Sequence, residues 1–351
     1  MIEQAALSAG RPRLIGRPLG WAVAGAVAVG ILALIPSQLS DQWQIALINI
    51  YFGVYLCIAW NIIAGFAGQF ALGQPVFLAI GAYTSSLLFL RSGVSPWAGM
   101  VSGAVLAGAV ALLFGYLAFR YRVRGLYFAL LTFASLVVAG NLVANVNFLG
   151  GAAGLILPLR DDTASFVWRD RLPYYYVMLG LTLLAVLVSV AVARSALGWR
   201  LEAVQQDEDA ASAIGIDISR VKIYAFIVSA MLTALAGTFY AQFYELVSPD
   251  TVLTFDPQIT MLLGTIIGGI GTLAGPIVGG LLVGAFTQLI QALPLDSRVT
   301  AILGQATFAV FLIVISVYAP AGLVGLARGD GLIRRFARRA RSRRPATRQE
   351  L

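Results

Sequence analysis

The sequence predicts an all-α polytopic membrane protein, on three observations. Of its 351 residues, 59% are hydrophobic and 11% charged, against about 25% charged in soluble domains. Apolar runs of roughly 18 residues or more recur along the chain, the length at which a helix rising 1.5 Å per residue crosses a ~30 Å hydrocarbon core. The charged residues fall between those runs, as expected where a charge at the bilayer centre costs about 2.5–3.5 kcal/mol.

Ten spans follow: 19–36, 43–64, 75–90, 96–119, 126–146, 174–193, 223–244, 258–270, 275–292 and 301–320. With the N-terminus inside, Arg11, Arg13, Arg17, Arg120, Arg122, Arg124, Arg194, Arg200, Arg220, Lys222 and nine arginines after position 327 are cytoplasmic. That is 19 of 24 basic residues, which places both ends in the cytoplasm by the positive-inside rule. The chain divides into a cytoplasmic segment (1–18), a transmembrane domain (19–327) with a hydrophilic loop at 194–222, and a basic cytoplasmic tail (328–351). The first run is longer than the about 7–15 residues of a signal-peptide core. Pro36-Ser37-Gln38 is no small-residue cleavage site, so a retained helix is expected. The arginines from Arg334 to Arg344 read as a juxtamembrane anchor on anionic lipid, with no nucleic-acid partner.

What the chain lacks narrows the chemistry. It has no histidine, one cysteine (Cys57) and one lysine (Lys222), so a His/Cys metal site, a Cys/His or Ser/His nucleophile pair and an intrachain disulfide are ruled out. Lys222 stands in Val-Lys-Ile, not in a phosphate-binding Gly-Lys-Ser/Thr loop. No enzyme activity, metal or cofactor is expected. Nor do the spans hold acids or histidines of the kind that relay ions in secondary transporters.

Two glycine-rich interruptions punctuate the apolar pattern. The first runs from Gly65 through Gly68, Gln69, Gly73 and Gln74 to Pro75, and the second from Gly268, Gly269 and Gly271 to Gly275 and Pro276. Each ends on a proline suited to the first turn of a new helix. Broken helices at corresponding places in two halves mark many transporter sites, because irregular backbone at membrane depth must be buried in protein or line a wet cavity. The alternative is that these glycines serve close helix packing. Polar residues available to such a path are Asn61, Gln69, Gln74, Tyr83, Thr132, Asn141 and Asn145. They suit a zwitterion or neutral polar solute, and each could equally serve as a helix-to-helix hydrogen-bonding group.

Within the 194–222 loop, Asp207, Glu208 and Asp209 precede Ala210, Ala211 and, after Ile214, Gly215. Acids in the first turn, helix formers in the middle and a glycine at the C-cap predict a short helix.

At this point the residues resemble a known family. Asp209-Ala210-Ala211-x-x-x-Gly215 is similar to the Glu-Ala-Ala-x-x-x-Gly loop by which permeases of binding-protein-dependent ABC importers dock on their ATPases, with Asp for Glu. From about Asn61 to Gly325 the chain most resembles LivM-type permeases for branched-chain amino acids and their urea and amide relatives. The resemblance is carried by Asn61 with Gly65 to Gln69, Gly81-Ala82-Tyr83-Thr84, Gly125 to Ala129 with Thr132, and Gly150-Gly151-x-x-Gly154. Further on it is carried by Ser195-x-Leu-Gly198, Lys222 with Ala225-Phe226, Ser248-Pro249, and Gly268-Gly269-x-Gly271 with Gly275-Pro276. Two places depart from the family: Ala71-Leu72-Gly73-Gln74 stands for Ser-Leu-Gly-His, and Gln205-Gln206 for the Arg that commonly precedes the acidic pair.

The resemblance implies a bacterial inner-membrane permease subunit that forms a translocation path. Its expected partners are a second, LivH-like permease, two ABC ATPase subunits, a periplasmic or extracellular substrate-binding protein, and membrane lipid. It implies ATPase coupling through Asp207, Glu208, Asp209, Ala210, Ala211 and Gly215. The expected path residues are Asn61, Gly65, Gly68, Gln69, Gly73, Gln74, Tyr83, Thr132, Gly268, Gly269, Gly271 and Pro276. The alternative solutes are urea or short amides, and the alternative class is an ion-coupled secondary transporter.

Overall fold

The computed structural model describes residues 40–121, 123, 125–158, 166–292 and 322–327. The expected spans 19–36 and 301–320 and both terminal segments lie outside the described residues. The described chain is an array of helices, most of them apolar. These are α1 (Asp41–Asn61, running on through one π-helical turn, Ile62–Phe66), α2 (Gln74–Ser92), α3 (Pro96–Arg120), α4 (Leu126–Asn145), α5 (Leu172–Arg194), α6 (Ala196–Gln206), α7 (Glu208–Ala213), α8 (Ile218–Tyr244), α9 (Pro249–Val252), α10 (Asp256–Gly268), α11 (Gly275–Gln291) and α12 (Gly322–Ala327). Among the described residues, seven segments are long and apolar enough to cross a membrane, counting α9 and α10 as one, and α11 is a shorter apolar helix.

Three features differ from the sequence reading. First, α8 begins at Ile218 and not at 223, because the Asp217 side chain accepts from Arg220 N at 3.1 Å and caps the helix earlier. Arg220 and Lys222 are therefore helical. Second, the 194–222 loop contains an additional helix, α6, which follows α5 after a single extended residue, Ser195. Third, the described chain includes a minimal antiparallel ladder, β1 (Leu155–Ile156) with β2 (Leu246–Val247), in the register Leu155 to Val247 and Ile156 to Leu246.

Small residues let the core helices approach closely, the usual means of packing helices where water supplies no driving force between them. Where α2 crosses α8, Gly81 lies against the Ala234 carbonyl and Gly237 against the Leu78 carbonyl, and a Cβ at either would collide with that backbone. Thr238 Oγ1 donates to Gly81 O at 3.1 Å in the same crossing. Along α11, Gly280 and Gly284 sit on Val54 and Ile50 of α1, while Gly279 faces Gly264 of α10. The core is centred on α1, α2 and α8, with Tyr55, Trp60, Phe226 and Phe239 fully buried. By contrast α4 leaves Leu126, Tyr127, Val138 and Leu142 exposed, as expected of a helix facing lipid or another subunit.

Candidate functional site

The first interruption is a re-entrant segment. Residues 67–73 leave the helix at the end of the bundle that carries α6 and α7, where a Cβ on Gly68 would lie 3.2 Å from Cγ of Gln205. They then turn back alongside α1. Trp60 Nε1 donates to Ala71 O at 2.8 Å, so Ala71 stands level with a residue six positions before Phe66, about 9 Å into the bundle. Leu72 N donates to Thr132 Oγ1 at 2.9 Å, and Thr132 is a comparable distance into α4. Gln74, the first residue of α2, is fully buried. Hence α2 starts inside the bundle, and the backbone groups around its start need protein partners.

Those partners form a polar cluster. Gln74 N donates to Gln258 Oε1 at 3.3 Å, and Gln74 Nε2 donates to Ser229 Oγ at 2.6 Å and Thr233 Oγ1 at 3.2 Å. The hydroxyl protons of Ser229 and Thr233 go to the Ala59 and Ser229 carbonyls, at 2.7 and 2.9 Å. Both hydroxyls must therefore accept from Gln74, which fixes the amide's orientation. Gln74 Oε1 and Gln258 Nε2 are left buried without a hydrogen-bond partner.

The second interruption, residues 269–274, is tied to the first through Asn61. Asn61 Oδ1 accepts from Gly271 N at 2.9 Å and Asn61 Nδ2 donates to Thr272 O at 3.0 Å. The turn is closed internally, with Thr272 Oγ1 donating to Gly269 O at 2.8 Å and accepting from Gly275 N at 2.9 Å. Gly271 adopts φ +77°, and its missing Cβ would face the Gly65 carbonyl and Gln205. A side chain there would meet both a left-handed backbone and an occupied space. Pro276 sits in the first turn of α11, where its missing N–H is no loss.

The expected path residues thus divide. Asn61, Gly65, Gly68 and Gly271 converge where the two interruptions meet, with Gly268 and Gly269 leading into the second turn. Gly73, Gln74 and Thr132 lie together deeper in the bundle. Tyr83 stands apart from both, nine residues beyond Gln74 on α2, or about 13 Å along the axis, and its buried hydroxyl has no hydrogen-bond partner. Gln69 is also buried, with Oε1 unpartnered. Asn141 and Asn145 donate to the carbonyls four residues back, Val137 and Asn141, at 2.9 and 2.7 Å, so these two side chains serve their own helix. At Gly65, Gly73 and Gly268 a Cβ would collide with Asn61, Thr132 O and Gly275 O. Close packing explains these three glycines. Sequence reasoning did not single out Trp60, Ser229, Thr233 or Gln258, because nothing local marks one polar residue in an apolar helix as the partner of a distant loop, and it marked Gln205 only as a departure from the family.

At the near end of the bundle, Asp207 accepts from Asp209 N and Ala210 N at 2.9 and 3.0 Å and N-caps α7, as its residue type favours. The helix closes with Ile216 N donating to Ala211 O at 3.1 Å and Gly215 at φ +87°, a left-handed exit that favours glycine. Ala211 is turned into the chain, 3% exposed, whereas Ala210 faces outward and Ile214 is 75% exposed. Glu208 reaches down to Lys222 of α8, with Nζ to Oε1 at 2.6 Å. Among the described residues no group of three or more acids and cysteines could hold a metal ion.

A bundle of membrane-length apolar helices with an interrupted segment and a short capped helix at one end defines a polytopic membrane protein. The chain belongs to the family described as "Branched-chain amino acid transport system / permease component", whose profile matches residues 44–317. It is 28% identical over 262 residues to the high-affinity branched-chain amino acid transport system permease protein LivM of Salmonella typhimurium, and 29% identical to LivM of Escherichia coli. Each alignment covers 68% of this chain and 61% of the relative, so the match spans about three-fifths of these relatives. The high-affinity branched-chain amino acid transport system permease protein LivH of Escherichia coli is 23% identical over 82% of this chain and 98% of its own length. No solved structure matches the chain.

Proposed function

We propose that this chain is a membrane permease subunit of a binding-protein-dependent ABC importer for branched-chain amino acids. It works beside a LivH-like permease, two ATPase subunits and an external binding protein, in a bacterial inner membrane. The observation that carries the reading is the meeting of three elements at one end of the bundle. Gln205, two residues before the α7 N-cap, lies against Gly68 of the first interruption and faces Gly271 of the second, and those interruptions are joined by Asn61. A displacement of the 207–215 segment by an ATPase therefore reaches both interruptions directly. The side chains of Asn61 and Thr132 hold backbone and that of Gln74 binds the Ser229 and Thr233 hydroxyls, and the solute meets the exposed residues at the turns, Phe70, Ile270 and Gly271. The ten-span topology with both ends inside belongs to the same reading.

Two experiments test it. On the outward face of α7, Ala210→Trp or Ile214→Glu should leave insertion normal and abolish both co-purification of the ATPases and their stimulation by loaded binding protein. Unchanged stimulation in both variants would refute docking through α7. The path is tested with Phe70→Cys and Ile270→Cys, the native Cys57 being buried. A small hydrophilic thiol reagent should label both in the assembled complex, at rates that change between nucleotide-free and ATP-trapped states. Rates that do not change with nucleotide state would remove the interruptions from the path.

A further inference from the structure

The only lysine of the chain is almost wholly enclosed, and it points at the helix assigned to the ATPase. Lys222 lies one turn into α8 with its side chain 2% exposed, its Nζ donates to Glu208 Oε1 at 2.6 Å, and the Glu208 side chain is 21% exposed. The ammonium also lies 5.6 Å from the centre of the Phe119 ring at the end of α3. Beside this pair a cleft of about 250 Å³ opens between α7 and the base of the bundle, lined by Val123, Asp209, Ser212, Asp217 and Ser219 among others. The coupling segment is thus separated from the membrane helices by open space on one side and bridged to them by an ion pair at the first residue of α7.

We propose that the Lys222–Glu208 pair is the strut that carries motion between α7 and α8. Lys222 is then a positioning residue for energy coupling, acting through Glu208 rather than touching solute or nucleotide. The inference rests on the reading of α7 as the ATPase-docking helix. Two physical points favour a strut over incidental surface pairing. An exposed ion pair contributes little, because water screens it and two long side chains must be ordered, but the enclosed Lys222 ammonium has little water to return to. Breaking a buried pair by removing one partner is far costlier than replacing both. The other end of the strut is rigid as well: Lys222 belongs to the α8 helix that supplies Ser229 and Thr233 to Gln74. A pull on Glu208 is therefore delivered to the helix that anchors the start of α2.

The test uses the complete importer in proteoliposomes and reads the ratio of solute imported to ATP hydrolysed, which a loss of protein alone would not change. Lys222→Met and Glu208→Ala should keep ATPase bound but lower that ratio by about tenfold, and Glu208→Ala should be the more severe because it takes the carboxylate from an enclosed ammonium while Glu208 can turn to water. The exchange Lys222→Glu with Glu208→Lys should recover part of the loss. If Lys222→Met does not accumulate, Glu208→Gln, which keeps an oxygen acceptor in reach, gives the same readout with a smaller drop. A wild-type ratio in every variant that assembles overturns the strut. If Ile214→Glu abolishes ATPase binding while the 208 and 222 variants transport normally, only the strut is wrong. If Ile214→Glu and Ala210→Trp both leave ATPase docking intact, the reading of α7 itself fails.

Discussion

The two interruptions look alike in sequence and are held in different ways. The first, 67–73, is anchored by side chains from three helices. Trp60 of α1 binds Ala71 O, Thr132 of α4 receives Leu72 N, and Gln258 of α10 receives Gln74 N. The second, 269–274, is closed by its own Thr272, and Asn61 supplies the two bonds that fasten it to α1. Buried backbone groups must be paired in either case, but the first turn shares that requirement among several helices and the second concentrates it on one side chain. The contrast teaches that the second interruption is the one a single substitution can release, and that the first is part of the scaffold on which it closes.

The contrast is most exposed at Asn61. Asn61→Leu removes both bonds and leaves Gly271 N and Thr272 O without a protein partner at a part-buried turn, which at about 0.5–1.5 kcal/mol net per bond costs roughly 1–3 kcal/mol. Thermal unfolding of the purified subunit in detergent should drop accordingly, and uptake should be lost. A stability loss no larger than that of the first-turn variants would erase the distinction. Thr132→Val strands only Leu72 N, for about 1 kcal/mol, and Thr132→Ser, which keeps the hydroxyl, should recover it in the same melt. Gln74→Leu is expected to be smaller still. It gives up two donated bonds but also removes the unpartnered Oε1, so the terms offset to less than about 1 kcal/mol. A loss at Gln74 as large as that at Asn61 would mean that the α2 start, not the second turn, is the sensitive closure. Asn141→Ala should change stability by less than about 0.5 kcal/mol, since its exposed amide bonds only to its own helix, and uptake should be unaffected.

Legibility of this molecule in its sequence followed the range of the interactions. Every expected span that falls on described residues has an apolar helix, because hydropathy and the cost of burying charge act on each segment by itself. The capped helix α7 was equally readable, since Asp207 bonds to residues two and three ahead and Gly215 supplies a left-handed backbone that few other residues adopt. The glycines marked the interruptions for the same reason. The start of α8 was misplaced by five residues because a charged first turn, Arg220 and Lys222, reads as loop until a partner for the lysine is known.

That partner, like the rest of the candidate site, was decided only by tertiary structure. Asn61 meets Gly271 across 210 positions and Gln74 meets Gln258 across 184. Any asparagine or glutamine in an apolar helix could satisfy any orphaned amide, so hydropathy and spacing contain nothing that selects the pair. The same holds for Ala210 and Ala211, adjacent and chemically identical, of which the fold buries one and presents the other. Hydropathy, capping and allowed backbone angles dictate the apolar helices, the capped helix α7 and the places where the chain breaks, since those demands are met within a few residues, whereas α6 and the first turn of α8 left no such mark. Which breaks face each other, which amides hold them, and which side of α7 remains free depended on how the helices pack, because a buried donor is satisfied by whatever the assembled bundle brings within hydrogen-bonding distance.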